Sequence, residues 1–236
     1  SLDRALSRVK RELGADAVEV LAFDEALAAM SPEAFVREVL VDRLGAAGVV
    51  LGPDFRFGKG RSGDVDTLRA LGATHGFEVR TVPPVQREGG VVSSTRIRRL
   101  VQAGEVDAAR RLLGRVHDAG GRVVRGDQRG RTIGFPTANL DCEPVLLPAD
   151  GVYAVVMRVD GALHRGVANL GVRPTFAAGR SVEAHLFDFD GDLYDRDARV
   201  GFVKRIRGER KFDGIEALKA QIATDAAAAR QALDEA

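Results

Sequence analysis

Gly151-Val-Tyr-Ala-Val-Val-Met-Arg-Val-Asp-Gly-Ala-Leu-His-Arg-Gly-Val167 decides the architecture of the second half of the chain. A long apolar run, an Asp-Gly pair and a second run are the pattern of two antiparallel strands joined by a tight turn. Asp160-Gly161 suits that turn because both residues tolerate positive φ. Outward from this hairpin, residues 122–125, 181–186 and 198–206 also read as short strands, and Asp190-Gly191 reads as a second hairpin tip amid Asp188 and Asp192. Several short strands with such turns suggest a small closed barrel. Asp213 and Glu216 form a capping-box-like start to an Ala-rich helix running to the C-terminus. Ile215, Leu218 and Ile222 stand at core spacing, so the helix should pack on the barrel.

The first half alternates strands and helices. Residues 17–21, 47–52 and 77–82 read as strands, after a first helix that ends at Gly14. Ser31 and Pro32 supply an N-cap and first-turn proline for a helix with Phe35, Val36, Val39 and Leu40 on one face. Asp64 caps another, with Val65, Leu68 and Leu71 inward and Gly76 at its end. This alternation implies a parallel sheet. Two short helices, residues 95–103 and 105–113, follow around Gly104, and the domain junction is expected near Gly114. The fold class expected is therefore α/β plus β, with domains at residues 1–113 and 114–236.

With 35 Lys and Arg against 34 Asp and Glu, the net charge of +1 removes whole-chain basicity as an argument for nucleic acid. No apolar run approaches the length of a membrane-spanning helix, and the single Cys142 can form no internal disulfide, which points to a cytoplasmic setting. Charge is uneven between Arg87 and Arg131, where eleven arginines stand against five acids. A solvated helix pair accounts for most of these; an anionic ligand at the junction is the sharper reading.

Gly58-Lys-Gly-Arg-Ser-Gly63 matches a dinucleotide-binding spacing, but five residues separate it from Gly52 at the strand end, where that motif needs a tight turn. The histidines show no metal-ligand spacing. More informative is Gly126-Asp-Gln-Arg-Gly-Arg-Thr-Ile-Gly-Phe-Pro-Thr-Ala-Asn139. Gly126, Gly130 and Gly134 can bring backbone N–H groups close to phosphates. Thr137 and Asn139, two apart, share one face of an extended segment and could meet a phosphate-bound magnesium ion. An ordinary Gly-rich barrel loop remains the alternative. Glu183 should face opposite to Val182, Ala184 and Leu186, as either a general base or a solvated carboxylate.

Taken together, Gly52-Pro-Asp-Phe-Arg-Phe-Gly58, Ser93-Ser-Thr-Arg-Ile-Arg98, Gly134-Phe-Pro-Thr-Ala-Asn139, Asn169-Leu-Gly-Val-Arg-Pro-Thr175, Val182-Glu-Ala-His185 and Asp188-Phe-Asp-Gly-Asp-Leu-Tyr194 closely resemble the bacterial bifunctional riboflavin kinase/FMN adenylyltransferases, or FAD synthetases, in order along essentially the whole chain. The resemblance implies a partial nucleotidyltransferase-like (Rossmann-like) parallel sheet domain, followed by a riboflavin-kinase β-barrel with a C-terminal helix. It implies ATP, riboflavin and FMN as substrates and Mg2+ as the metal. Thr137 and Asn139 would hold magnesium and ATP phosphates beside the glycine loop, and Glu183 would accept the ribityl hydroxyl proton. Asp54, Ser93, Ser94, Thr95 and Arg98 would contact ligands of the adenylyltransferase half.

One departure bears on activity. The family's H-x-G-H-type nucleotide motif is not matched here, and the chain opens with Ser1 rather than Met. The expectation is a chain that starts inside the first domain, phosphorylates riboflavin and makes no FAD. Two other classes stay in view. A non-catalytic flavin-binding or regulatory module would show no ATP turnover, against the intact Thr137, Asn139 and Glu183 set. An RNA-binding protein using the arginine-rich junction would want stacking aromatics, and Trp is absent.

Overall fold

The computed structural model describes residues 6, 9–10, 14–126, 130, 133–172 and 180–236. Most of the expected first helix, the arginines at 129 and 131, and residues 173–175 of the Asn169 motif lie outside the described residues. The chain divides into two compact units, Ser1–Val91 and Val92–Ala236.

In the first unit, helix α1 (Glu25–Ala29) precedes α2 (Pro32–Phe35), which Ser31 caps by accepting the Ala34 N–H at 3.2 Å. The helical path continues through Val36–Arg43 with π-type hydrogen bonding. Strand β1 (Gly48–Leu51) pairs in parallel with β2 (Glu78–Thr81), across helix α3 (Val65–His75). Asp64 caps α3, its carboxylate accepting the Thr67 N–H at 2.9 Å. Val36, Phe57, Leu68 and Phe77 form the buried centre. The expected strand at residues 17–21 is not one: the stretch is irregular and mostly exposed, and among the described residues β1 pairs only with β2 and no ladder receives it. A small hairpin, β3 (Gln86–Arg87) and β4 (Gly90–Val91), closes the unit.

The second unit begins with α4 (Ser94–Ala103) and α5 (Val106–Leu113), separated by Gly104 in the left-handed region (φ 81°) where a side chain would be strained. Six antiparallel strands then close a barrel: β5 (His117–Val124), β6 (Ala138–Cys142), β7 (Gly151–Val159), β8 (Ala162–Val172), β9 (Arg180–Leu186) and β10 (Asp197–Arg207), in the order β10-β5-β6-β9-β8-β7. Strand β10 pairs on both sides, with β5 and with β7, and the two register shifts in its β7 ladder lie past Phe202, where β5 no longer pairs with it. The interior is filled from alternate positions, among them Tyr153, Val155 and Met157 on β7, Val182 and Ala184 on β9, and Phe202 on β10.

Two expectations change here. Asp190-Gly191 is not a hairpin tip, since β9 pairs with β6 and β8 while β10 pairs with β5 and β7; the segment is a crossover loop between non-neighbouring strands. The last helix, α6 (Ile215–Asp234), has Gly214 rather than Asp213 at its N-cap, with no side-chain cap bond, and Ile215 is 57% exposed. Its apolar contacts with the barrel include the buried Ala229 and Ala232, small enough to lie against Val152, Ala154 and Val167 on the outer faces of β7 and β8. That cover explains why β7 is apolar on both faces.

Candidate functional site

Strand pairing carries one row of residues around the outside of the barrel. Asn139 on β6 stands opposite Glu183 on β9, Glu183 opposite Asn169 on β8, Asn169 opposite Val152 on β7, and Val152 opposite Arg207 on β10. Directly paired residues share a face. Val182 and Ala184 occupy the interior, so Glu183 points outward with this row. Glu183, Asn169 and Arg207 line a cavity of 770 Å³ together with Thr137, His185 and Gly130. Leu218, Ile222 and Asp225 of α6 and the segment 209–212 supply the facing wall.

Asn139 is not among the cavity-lining residues. It is 4% exposed, one strand over from Glu183, and its Oδ1 has no hydrogen-bond partner among the described residues. Gly126 explains how it fits: a Cβ there would lie 2.5 Å from the Asn139 amide nitrogen, so the bare Cα makes room for the side chain. Gly130 is close to the chain beyond it, where a Cβ would meet the Phe135 carbonyl oxygen at 2.3 Å, and its own carbonyl accepts the Phe135 N–H at 2.8 Å. Gly134, at φ 89°, stands in open space. Gly130 and Thr137 therefore reach the cavity, and Gly126 abuts Asn139 beside it.

The far wall is held by ion pairs. Arg207 donates from Nε to both oxygens of Asp225 at 3.0 Å and from Nη2 at 2.8 Å, while Gln221 donates to Asp225 Oδ1 at 2.7 Å. Asp225 is 3% exposed, so these donors satisfy a buried carboxylate and tie α6 to β10. Farther along, Arg230 donates to both oxygens of Asp188, at 2.9 and 3.0 Å, and stacks over Phe187 at 4.2 Å. The Arg230 hydrogen bonds hold the Asp188 carboxyl below its ordinary value.

The remaining candidates lie elsewhere. Asp54 is an exposed loop residue after β1 in the first unit. Ser93, Ser94, Thr95 and Arg98 are exposed at the start of α4 in the second, and the Ser93 hydroxyl caps that helix by accepting the Arg96 N–H at 3.3 Å. Sequence reasoning missed the structural roles of Arg207, Asp225 and His185. The Arg207–Asp225 pairing leaves no trace in periodicity, whereas the motif holding Glu183 already contained His185.

Residues 113–233 match the family model described as riboflavin kinase, and residues 4–96 match the one described as FAD synthetase. The bifunctional riboflavin kinase/FMN adenylyltransferase of Pseudomonas fluorescens is 45% identical over 219 residues, covering 92% of this chain and 70% of the relative. The chain belongs to this family. The Escherichia coli K12 relative is 42% identical over 227 residues, covering 95% of the chain and 72% of its own length. In fold, a crystal structure described as a macrolide-efflux protein from Streptococcus pneumoniae superposes with a TM-score of 0.86 at 34% identity, covering 95% of this chain and 73% of that one. Among the described residues no helix is long and apolar enough to cross a membrane.

Proposed function

We propose that this chain transfers the γ-phosphoryl group of ATP to riboflavin, giving FMN and ADP, in the cavity on the outer face of the barrel. The observation that carries the reading is the strand pairing that sets Glu183 between Asn139 and Asn169, with Thr137 on the same cavity wall. In this reading the Glu183 carboxylate takes the proton of the ribityl hydroxyl as its oxygen bonds to the γ-phosphorus and the bond to the ADP oxygen breaks. Thr137 and Asn139 hold magnesium and ATP phosphates, and the stretch bearing Gly126, Gly130 and Gly134 cradles the phosphates. The residues fit a hard cation: a buried amide oxygen without a partner, as at Asn139, is costly unless something accepts its lone pairs. When bound, magnesium neutralises phosphate charge. The apolar side chains of Leu218 and Ile222 suit the flat flavin ring.

The same reading assigns residues 114–236 to the kinase and 1–113 to a domain of the FMN adenylyltransferase type that makes no FAD in this chain, with Asp54, Ser93, Ser94, Thr95 and Arg98 as ligand contacts. The single thiol, Cys142, fits a reducing cytoplasmic setting. Incubation with riboflavin, ATP and magnesium, followed by chromatography of the flavins, tests both halves. FMN is expected; a folded sample that makes none overturns the kinase reading. FAD is not expected, since this chain holds no H-x-G-H pair, and its appearance would assign the adenylyl step to other residues.

A further inference from the structure

Thr137 stands in an irregular stretch, yet the reaction proposed above needs it in a fixed place relative to Glu183. What fixes it is the strand that carries Glu183. On the C-terminal side of Thr137, Ala138 pairs with Ala184 in the β6–β9 ladder. On the other side, Pro136 has no N–H to offer a ladder, and its carbonyl oxygen lies 2.9 Å from Nδ1 of His185. A carbonyl only accepts, so Nδ1 carries the proton. The ring is itself held: Phe135 meets it edge-on at 5.4 Å between centroids, and Phe187, just past the end of β9, lies at 6.1 Å. His185 and Glu183, two residues apart, share the outward face of β9, and both line the cavity.

We propose that His185 is a positioning residue, whose Nδ1–H, donated to the Pro136 carbonyl, sets where Thr137 stands relative to Glu183. Two residues on the same face of one strand thus carry the proton acceptor and fix the approach of the phosphate-binding loop. The inference rests on the role given to Thr137 in the proposed function. It adds a residue whose side chain acts through the loop backbone rather than on the reacting atoms.

The test compares His185→Asn, His185→Gln and His185→Leu, followed by magnesium-ATP affinity from calorimetry and by turnover at saturating riboflavin. An Asn amide nitrogen falls near the position of Nδ1, whereas that of Gln reaches farther, so only His185→Asn should keep the bond. His185→Leu and His185→Gln are expected to lose roughly 10- to 100-fold in turnover, the scale of a small misplacement of reacting groups, and to bind magnesium-ATP more weakly. His185→Asn should stay within about threefold of the parent, a fraction of one hydrogen bond. In a Thr137→Ala background, His185→Leu should change turnover by less than about threefold, because the group it positions is gone. Equal losses for Asn and Gln in folded protein, or losses that multiply with Thr137→Ala, would overturn the inference. If His185→Leu does not fold, the Asn and Gln contrast decides. A parent that binds magnesium-ATP yet makes no FMN sinks the kinase reading while the affinity arm still tests His185. A parent that makes FMN while all three variants match it sinks only the His185 role.

Discussion

The two compact units solve the problem of strand edges differently. In the second, every barrel strand has a partner on both sides, and α6 covers the outer faces of β7 and β8. In the first, β1 and β2 pair only with each other among the described residues, and Val50 on β1 is 66% exposed. A closed ladder holds the row of Asn139, Glu183 and Asn169 in fixed register, because slipping one strand would move each of its residues to the opposite face. A two-stranded parallel sheet has no such constraint beyond its own pair. Of the groups proposed for the kinase, Asn139 and Glu183 are on barrel strands and Thr137 directly precedes β6, whereas Asp54 and the Gly-rich residues 58–63 stand outside the sheet of the first unit.

The largest expected effect tests whether that chemistry belongs to the barrel alone. Glu183→Gln keeps size and hydrogen bonding but loses basicity, so turnover of riboflavin should fall by roughly 10² to 10⁴-fold with little change in magnesium-ATP affinity. Lys59→Ala, in the first unit, should leave FMN formation unchanged. Near-parental turnover by Glu183→Gln would remove the base from this position. Next in size is the cover of the barrel. Asp225→Asn strips Arg207 of a buried charged partner and should cost about 3 kcal/mol in chemical denaturation. It should also raise the KM for riboflavin, since Asp225 and its helix form one wall of the cavity. A stability like that of the parent would mean that the Arg207–Asp225 pair adds nothing to the hold on α6.

How much of this was legible depended on whether the signal was local. The hairpin at Asp160-Gly161 was readable because two adjacent residues carry the turn, and both have positive φ, 47° and 83°. The caps Ser31 and Asp64 are written in single side chains, whereas the Ser93 cap is not foreseen, since the helix it starts is expected only from residue 95. Strand β5 was read only from residue 122, because Gly120 and Gly121 look like a loop; in the barrel, Gly121 lies where a Cβ would meet the Asp141 carbonyl oxygen at 2.2 Å. Strand β6 is legible only as an extended segment around Asn139: Ala-Asn-Leu-Asp-Cys holds no β-branched or aromatic residue, and its place in a ladder comes from neighbours on both sides. Thr137, Asn139 and Glu183 could be named from their motifs. That Asn139 sits across from Glu183, with Gly126 against its amide, depends on pairings that only the closed barrel supplies.

The Gly126 contact gives a smaller effect that sharpens the same point. Asn139→Ala and Thr137→Ala should each weaken magnesium-ATP binding as well as turnover, by about tenfold, the scale of one lost ligand or charge-assisted hydrogen bond. Gly126→Ala should resemble Asn139→Ala, because the added methyl group must displace the Asn139 amide. The pair should be non-additive: once Asn139 is Ala, the methyl has space and Gly126→Ala should add little. Calorimetric titration of the single and double variants measures this, and additive losses would mean that Gly126 acts on something other than Asn139.

The smallest effect sets one carboxylate of each unit, the half-buried Asp64 and the exposed Asp188, against the other. Asp64 in the first unit is held below the ordinary 3.8 chiefly by the Thr67 N–H, with the Thr67 hydroxyl next and Arg56 a lesser influence. Asp188 in the second is held down chiefly by hydrogen bonds from Arg230, with the charge of that guanidinium adding to them. In both cases the folded value is depressed. The stabilisation is therefore present above pH 3.8 and is lost as the pH falls through the lower folded value. Salt separates the causes, because at 1 M the screening length shrinks to about 3 Å and an exposed ion pair weakens, while a cap hydrogen bond to a backbone N–H persists. Thermal unfolding at pH 6 should show the deficit of Asp188→Asn shrinking as salt rises, and that of Asp64→Ala staying nearly constant. If the two deficits fall together, the Asp64 cap is held by its Arg56 ion pair rather than by the helix amides; if neither falls, the Arg230 contact to Asp188 is a hydrogen bond whose charge contributes nothing.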